Sequence, residues 1–482
     1  MQSKKTEHHL FIAMILFIAS HLIFSFIQYY HSPLYGDIDG GVLPNEIIEQ
    51  IFDDPLGWQA LKTGEKHVNP NRFFSHFMLS KYFKNVPLWL QTFTDPVSSV
   101  YLACALLKIV VQALFIYVIA ALISGSNHLF HKKFILSSAL IIPLFQVYGY
   151  WSRMGIVDKS IAYTFFYALP LVLFMLFFLP FFHNIMNNRK FRTIHYFTLT
   201  PLIVILPFSG PLIPAISIIA SFLIFINYFF TYKKKGIIPF LKNIPLSFYI
   251  LLVPLTMMSL YSLFLGTFYD SNYQTDTIPI AERYSRLPYG LFSQLFHSLG
   301  FPFLLLIIGI NIYFIKKQGS PEGTKLIHCI RWIGIFALIF ILLLPLGGYR
   351  PYRTRIIRYD TFMPITAALI YYFGLTAYYV LQQLNGKSKK YYTAFLATIL
   401  LMYSLVDLDG INKNRCERDA LQKMAVSNDS IVPIPKDCFV MSWANTFDYK
   451  ESENRARLIQ YWGITHEKKL FYNEELATKE PL

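Results

Sequence analysis

The sequence predicts an all-α polytopic membrane protein, and three observations carry that expectation. Hydrophobic residues make up 54% of the 482 residues and charged residues only 15%, whereas soluble domains carry about 25% charge. Mean hydropathy is +0.41. Apolar stretches long enough to cross a bilayer recur along the chain, a hydrocarbon core about 30 Å thick taking about twenty residues of helix. With 43 basic and 28 acidic side chains, there are too few charges to solvate a globular surface of this mass, which excludes an ordinary soluble enzyme. The net charge of +15 would point to nucleic acid in a soluble protein. In a membrane protein it first reports which loops face the cytoplasm.

About eleven spans are expected by this criterion: Leu10–Tyr29, Val97–Ile123, Phe134–Tyr150, Ile161–Phe182, Tyr196–Phe208, Pro211–Phe230, Pro245–Phe268, Ser298–Ile315, Ile327–Leu346, Thr361–Leu381 and Tyr391–Leu408. The first follows Lys4-Lys5 and has no small-residue cleavage site before Tyr29, so it reads as a retained anchor. The fifth is short and turns into the sixth through Ser209-Gly210-Pro211. With a cytoplasmic N-terminus, the inside loops hold Lys132 and Lys133, Arg189, Lys190 and Arg192, Lys233 to Lys235 with Lys242, Lys316, Lys317 and Lys325, and Lys387, Lys389 and Lys390. Only Glu7 and Glu322 oppose them. The positive-inside rule therefore holds at every short loop, and nucleic acid is not needed to explain the charge.

An odd number of spans puts the loops 31–96, 269–297 and 347–360 on the external side. Residues 1–408 then form the transmembrane domain, and 409–482 a small external tail, an α/β cap of marginal size for an independent fold. Cys416 and Cys438 fall in this tail. They are either a disulfide of an oxidising compartment or two thiols, and their spacing does not decide.

Candidate chemistry lies in the external loops. Tyr35-Gly36-Asp37-Ile38-Asp39-Gly40-Gly41 sets two carboxylates between glycines just past the first span. Asp37 and Asp39 suit a general base or a divalent-cation site, the alternative being a plain Asp/Gly turn. Further on, Glu46–Phe52 and Asn71–Phe83 carry apolar residues at helical spacing and are expected as amphipathic surface helices. His67 and Arg72 flank Asn69-Pro70-Asn71 between them, where they would contact a phosphate or sugar, or merely form a solvated face.

Arg350, Arg353, Arg355 and Arg358 crowd the loop Gly348–Asp360, where the positive-inside rule predicts few cations. A guanidinium fork suits phosphate oxygens, and the interleaved tyrosines suit headgroup depth. The competing reading is attraction to anionic headgroups. Asp158 is a further acid, free to pair with Arg153 or Lys159. His297 closes the loop 269–297, which is expected to act as a lid or as a plain connection. There is no P-loop, H-E-x-x-H, C-x-x-C or G-x-S-x-G.

This arrangement of Gly36-Asp37-Ile38-Asp39 after the first span, a long first external loop, many later spans and a late basic external loop resembles the GT-C superfamily of polytopic glycosyltransferases. The likeness covers roughly residues 10–408. It implies transfer of a sugar from a polyprenyl-phosphate donor to an acceptor at the external face, with Asp37 as catalytic carboxylate and Asp39 second. It also implies that Arg350, Arg353, Arg355 and Arg358 attend the lipid phosphate, with membrane lipids around the protein and a bacterial inner membrane as its location. A divalent cation at Asp37 and Asp39 is the one cofactor it suggests. The chain departs from the family pattern in lacking an Asp-Glu pair there and a large C-terminal globular domain. Two other readings stand beside it: an O-antigen ligase or polymerase acting on lipid diphosphates, and a non-enzymatic saccharide or lipid transporter or assembly factor.

Overall fold

The computed structural model describes residues 2–44, 46–66, 68–148, 152–232, 241, 243–268, 278–347, 354–407 and 410–474. Among them, eight helices are long and apolar enough to cross a membrane: Glu7–Tyr30, Pro96–Ser124, Ile161–Asn187, Ile213–Tyr232, Leu246–Phe268, Gly300–Gln318, Pro321–Gly347 and Tyr359–Gln383. The protein is thus an all-α, multi-pass integral membrane protein. The other three expected spans are shorter or less apolar. Lys132–Ile141 runs into a 3-10 turn at Ile142–Leu144, and Thr193–Ile205 into another at Leu206–Phe208. Pro143 and Pro207 sit in these turns, and proline, which lacks an N–H, interrupts the α-helical ladder. Gly386–Leu405 is long enough, but Lys387, Lys389 and Lys390 lower its hydropathy.

Helix ends follow local chemistry. The Asp95 carboxylate accepts from Ser98 N at 2.9 Å ahead of Pro96, and Gly125 at φ 63° closes the same helix. The span Ile161–Asn187 contains a π-turn at Thr164–Ala168. Such a turn releases a carbonyl from the ladder, and the Ser75 hydroxyl lies between two acceptors, the Phe165 carbonyl at 3.1 Å and the nearer Ser209 carbonyl. That hydroxyl fixes the helix Phe73–Leu90 of the first loop against the bundle.

Polar contacts mark the two ends of the bundle. At one, Lys132 pairs with Glu7 at 3.0 Å and the Arg189 guanidinium donates to the Gly125 carbonyl. At the other, the Tyr148 hydroxyl donates to Ser32 Oγ at 2.8 Å, and Asp407 accepts from Tyr148 N at 2.8 Å. The first loop builds the helices Asp39–Val42, Glu46–Asp53, Trp58–Thr63 and Phe73–Leu90. Exposed Trp58, Phe77, Met78, Trp89 and Phe93 line their outer side.

The tail folds as a small α/β unit. Helix Arg415–Val426 leads to strand Ile431–Ile434, which pairs in parallel with Leu470–Asn473, Val432 standing opposite Phe471. A parallel pair needs a crossover, and here it includes helix Glu453–Tyr461. Cys416 and Cys438 form a disulfide. About seventy residues bury little surface alone, and this unit is docked onto the rest of the chain. Trp462 is fully buried, its Nε1 donating to the Phe83 carbonyl at 3.0 Å, while Gln91 donates to the Trp462 carbonyl at 2.7 Å. Asn414 donates from its backbone to His31 O and from its side chain to Tyr30 O, both at 3.0 Å.

The central tie is Glu417, which is 2% exposed. One oxygen accepts from Met441 N at 2.8 Å, the other from Leu34 N at 2.8 Å and the Tyr101 hydroxyl at 2.9 Å. The neighbouring Arg418 guanidinium lies over the Tyr30 and Tyr101 rings at 4.5 and 4.2 Å. Burial pushes the Glu417 carboxyl up to about 6 from an ordinary 4.5, although the three donors favour its charged form. A raised folded-state value means the folded protein binds the proton more tightly. This group's contribution to stability is therefore full below about pH 4.5, declines to about pH 6 and is flat above.

Glu417→Gln sets an NH₂ against one of three donors and is expected to destabilise tail docking by about 1–3 kcal/mol. Limited proteolysis of the tail across pH 4–7 checks this: cleavage should quicken, and the slope between pH 4.5 and 6 should vanish. Wild-type cleavage and slope in the variant would remove Glu417 from this role.

Candidate functional site

The first carboxylate of the acidic motif, Asp37, lies three residues after the Glu417 tie point at Leu34. Tyr35 and Asp37 both adopt left-handed backbone, at φ 54° and 71°, a conformation that costs about 1 kcal/mol or more at a non-glycine residue. Gly36 lies between them beneath Trp443, and a Cβ there would collide with the indole ring. Trp443 comes from the tail. It stacks on Tyr35 at 5.2 Å and 19°, packs tilted against Tyr163 at 5.9 Å, and stays 49% exposed. The Asp37 side chain is exposed beside this aromatic cover.

Asp39 starts the helix Asp39–Val42 and lies in the field of Arg455. The Arg455 guanidinium is itself fixed by Val440 O at 3.2 Å, Thr446 Oγ1 at 2.8 Å and Glu451 O at 2.9 Å. Among the described residues no group of three or more His, Cys, Asp or Glu side chains is placed to hold a metal ion.

Two other segments converge on the same place. Arg358 pairs with buried Asp360 at 2.7 Å, hydrogen-bonds the Tyr163 hydroxyl and lies 5.8 Å from the Tyr163 ring. Tyr163 is also in the field of Asp37. This tyrosine thus links the first loop to the end of the basic loop. Asp158 accepts from Ser160 N at 2.6 Å and from the Tyr359 hydroxyl. Burial holds its carboxyl above the usual range, with Asp360 adding to the rise, against these two donors and the Lys108 charge. Burial likewise lowers Lys159, whose ammonium sits 4.5 Å from the Tyr148 ring.

Lys108 lies within the span Pro96–Ser124 at 1% exposure, donates to the Lys159 carbonyl and approaches the Tyr29 ring at 5.6 Å. One turn along, Gln112 accepts from the Tyr29 hydroxyl at 2.6 Å and donates to Ser25 Oγ at 3.1 Å. The sequence reading passed over Lys108, Tyr163, Tyr359, Glu417 and Trp443. Lys108 carried a usable signal, because an ionisable residue in the middle of an apolar span is costly and has to be partnered. The tyrosines and Trp443 carried none, since their relevance is a tertiary contact.

The remaining predicted residues are placed elsewhere. Exposed Arg355 donates to Ser293 Oγ at 2.7 Å and lies 5.3 Å from the Tyr289 ring, so it braces the helix Leu287–Phe296. Gly290 of that helix admits the Arg355 carbonyl, where a Cβ would collide. His297 is exposed at the end of the same helix. Arg72 is the half-buried N-cap of Phe73–Leu90 and stands beside His76, which burial lowers to about 3. His67, Arg350 and Arg353 lie outside the described residues. No family model matches this chain, and neither a curated protein nor a solved structure matches it. The assignment that fold and hydropathy define is therefore a class, a multi-pass membrane protein, and function has to be argued from the cluster itself.

Lys108→Met leaves the Lys159 carbonyl without its buried donor and removes the cation near Asp158, a loss of about 1–3 kcal/mol. The thermal midpoint of the protein in detergent should fall, and an unchanged midpoint would show that Lys108 does not support this loop.

Proposed function

We propose that the protein is a membrane glycosyltransferase of the GT-C type, moving a sugar from a polyprenyl-phosphate donor to an acceptor at the external face of a bacterial inner membrane. The observation that carries the reading is the convergence of an exposed, conformationally strained carboxylate, Asp37, with Tyr163, Arg358 and Asp158 from separate segments. Strain is retained where surrounding structure over-determines it, and its clustering at functional sites supports the reading of this turn as one.

The topology proposed with it has eleven crossings, a cytoplasmic N-terminus and an external tail. The short helix Lys132–Ile141 supports this count, because its segment leads from the Glu7–Lys132 pair to the Tyr148–Ser32 bond at the opposite end of the bundle. The tail packs beside Leu34 and Tyr101, at the end away from Glu7. Its disulfide suits an oxidising compartment.

In the proposed reaction the acceptor hydroxyl gives its proton to the Asp37 carboxylate. Its oxygen forms a bond to the anomeric carbon as the bond from that carbon to the phosphate oxygen breaks, and the polyprenyl phosphate leaves with the electron pair. Arg358, the arginine that reaches Tyr163, stabilises the leaving phosphate. Tyr35 and Trp443 offer a flat apolar wall for a sugar ring, while the prenyl tail stays in lipid. The buried Lys108–Gln112–Tyr29 network within the spans favours a second reading, transport, because intramembrane ionisable groups mark solute pathways. Its tie to the Lys159 carbonyl at the outer end suits anchoring of the site better.

Asp37→Asn should lower sugar transfer by about 10²-fold or more in purified protein given a polyprenyl-phosphate donor, with folding unaltered at this exposed position. Asp39→Asn should have a much smaller effect. Full transfer by the Asp37 variant would refute its role as base.

A further inference from the structure

Separate from the Asp37 cluster, a cavity of about 450 Å³ opens between the first-loop helices Glu46–Asp53 and Phe73–Leu90, a volume within the range of ligand sites. We propose that it binds the headgroup of a zwitterionic phospholipid, one that carries a phosphate and an ammonium together. Its floor is aromatic. Phe73 stacks on Phe77 at 5.5 Å, and Phe52 meets Phe73 edge-on at 6.2 Å. Its walls are charged with opposite signs, Glu49 and Asp53 from one helix and Lys81 and Lys84 from the other.

None of these four side chains is in an ion pair among the described residues. The sum of their charges is zero. An anionic headgroup would be attracted to one wall and repelled by the other. A phosphate against the lysines with an ammonium against the carboxylates satisfies both. The aromatic floor suits the ammonium by cation–π attraction, as Lys81 Nζ already does at 5.7 Å from the Phe77 ring. The bilayer is the source at hand. Phe77, Met78, Leu88 and Trp89 of the same helix, with Trp58 nearby in sequence, are large apolar side chains exposed at its surface, the signature of a helix lying at headgroup depth.

The experiment places the full-length protein in nanodiscs of equal phosphatidylethanolamine, phosphatidylcholine and phosphatidylglycerol, extracts it partially with detergent, and counts retained lipids by native mass spectrometry. Wild type should retain the two zwitterionic lipids over phosphatidylglycerol by about fivefold, the scale of two partly desolvated charge contacts. Lys81→Gln with Lys84→Gln should bring the three to parity, and so should Glu49→Gln with Asp53→Asn. These are surface positions, so the thermal midpoint should stay at the wild-type value and serve as the folding control. Phosphatidylglycerol retained as well as phosphatidylethanolamine by wild type, or a preference that survives in either double variant, overturns the proposal. Neither result bears on Asp37.

Discussion

The carboxylate of Glu417 is the point from which the tail-bearing end of the molecule is organised. It gathers three donors from segments far apart in the chain: Leu34 before the acidic motif, Tyr101 in a span, and Met441 in the tail. A buried acid is expensive unless its acceptor sites are filled, and here the filling groups are the elements that have to be held together. Removing any one of them leaves a charged group or a backbone N–H unsatisfied, so the tail, the first loop and the span are energetically coupled. The disulfide at the adjacent Cys416 and the Arg418 guanidinium over Tyr30 and Tyr101 work at the same joint.

That joint explains how a strained motif persists on a loop. Leu34 is fixed on one side, and Trp443, delivered by the docked tail, covers Gly36 and Tyr35 on the other. The left-handed turns at Tyr35 and Asp37 are then imposed by packing rather than by local preference. On the membrane side, Lys108 reaches up from its helix to hold the 158–160 segment, so that Asp158 meets Tyr359 and Arg358 meets Tyr163. The cluster has an aromatic lid from the tail and a cationic support from within the bundle.

The first loop shows a second division of labour. Its helix Phe73–Leu90 turns Ser75 and Leu79 toward the bundle and Phe77 and Met78 outward. One face thereby fixes the loop and the other is left exposed. The oppositely charged cavity lies beside this exposed face, between two segments that the sequence marked only as amphipathic helices.

How much of this was legible beforehand follows from the range of the interactions involved. Hydropathy is a local sum over about twenty residues, so the all-helical membrane class and the eight strongest spans could be read directly. The third stretch ends its helix early, at Ile141 beside Pro143, because a window that counts apolar residues does not register a lost N–H, whereas the fifth was already short in sequence. Helical spacing foretold helix in the segments Glu46–Phe52 and Asn71–Phe83 for a similar local reason. The candidate site was legible only in part. Asp37, Asp158 and Arg358 stood out as charges beyond the spans, but their partners Tyr163, Tyr359 and Trp443 look in sequence like any other aromatic residues of an apolar chain. Arg355 looked equivalent to Arg358, yet one braces a helix and the other joins the cluster. The disulfide stayed undecided on spacing alone. By itself, then, the sequence determined the membrane class and the placement of the apolar helices, because both depend on transfer of short segments into lipid. The tertiary structure alone decided that the tail caps the first loop and which charges meet, because a hydrogen bond or ring stack depends on distances between residues hundreds of positions apart.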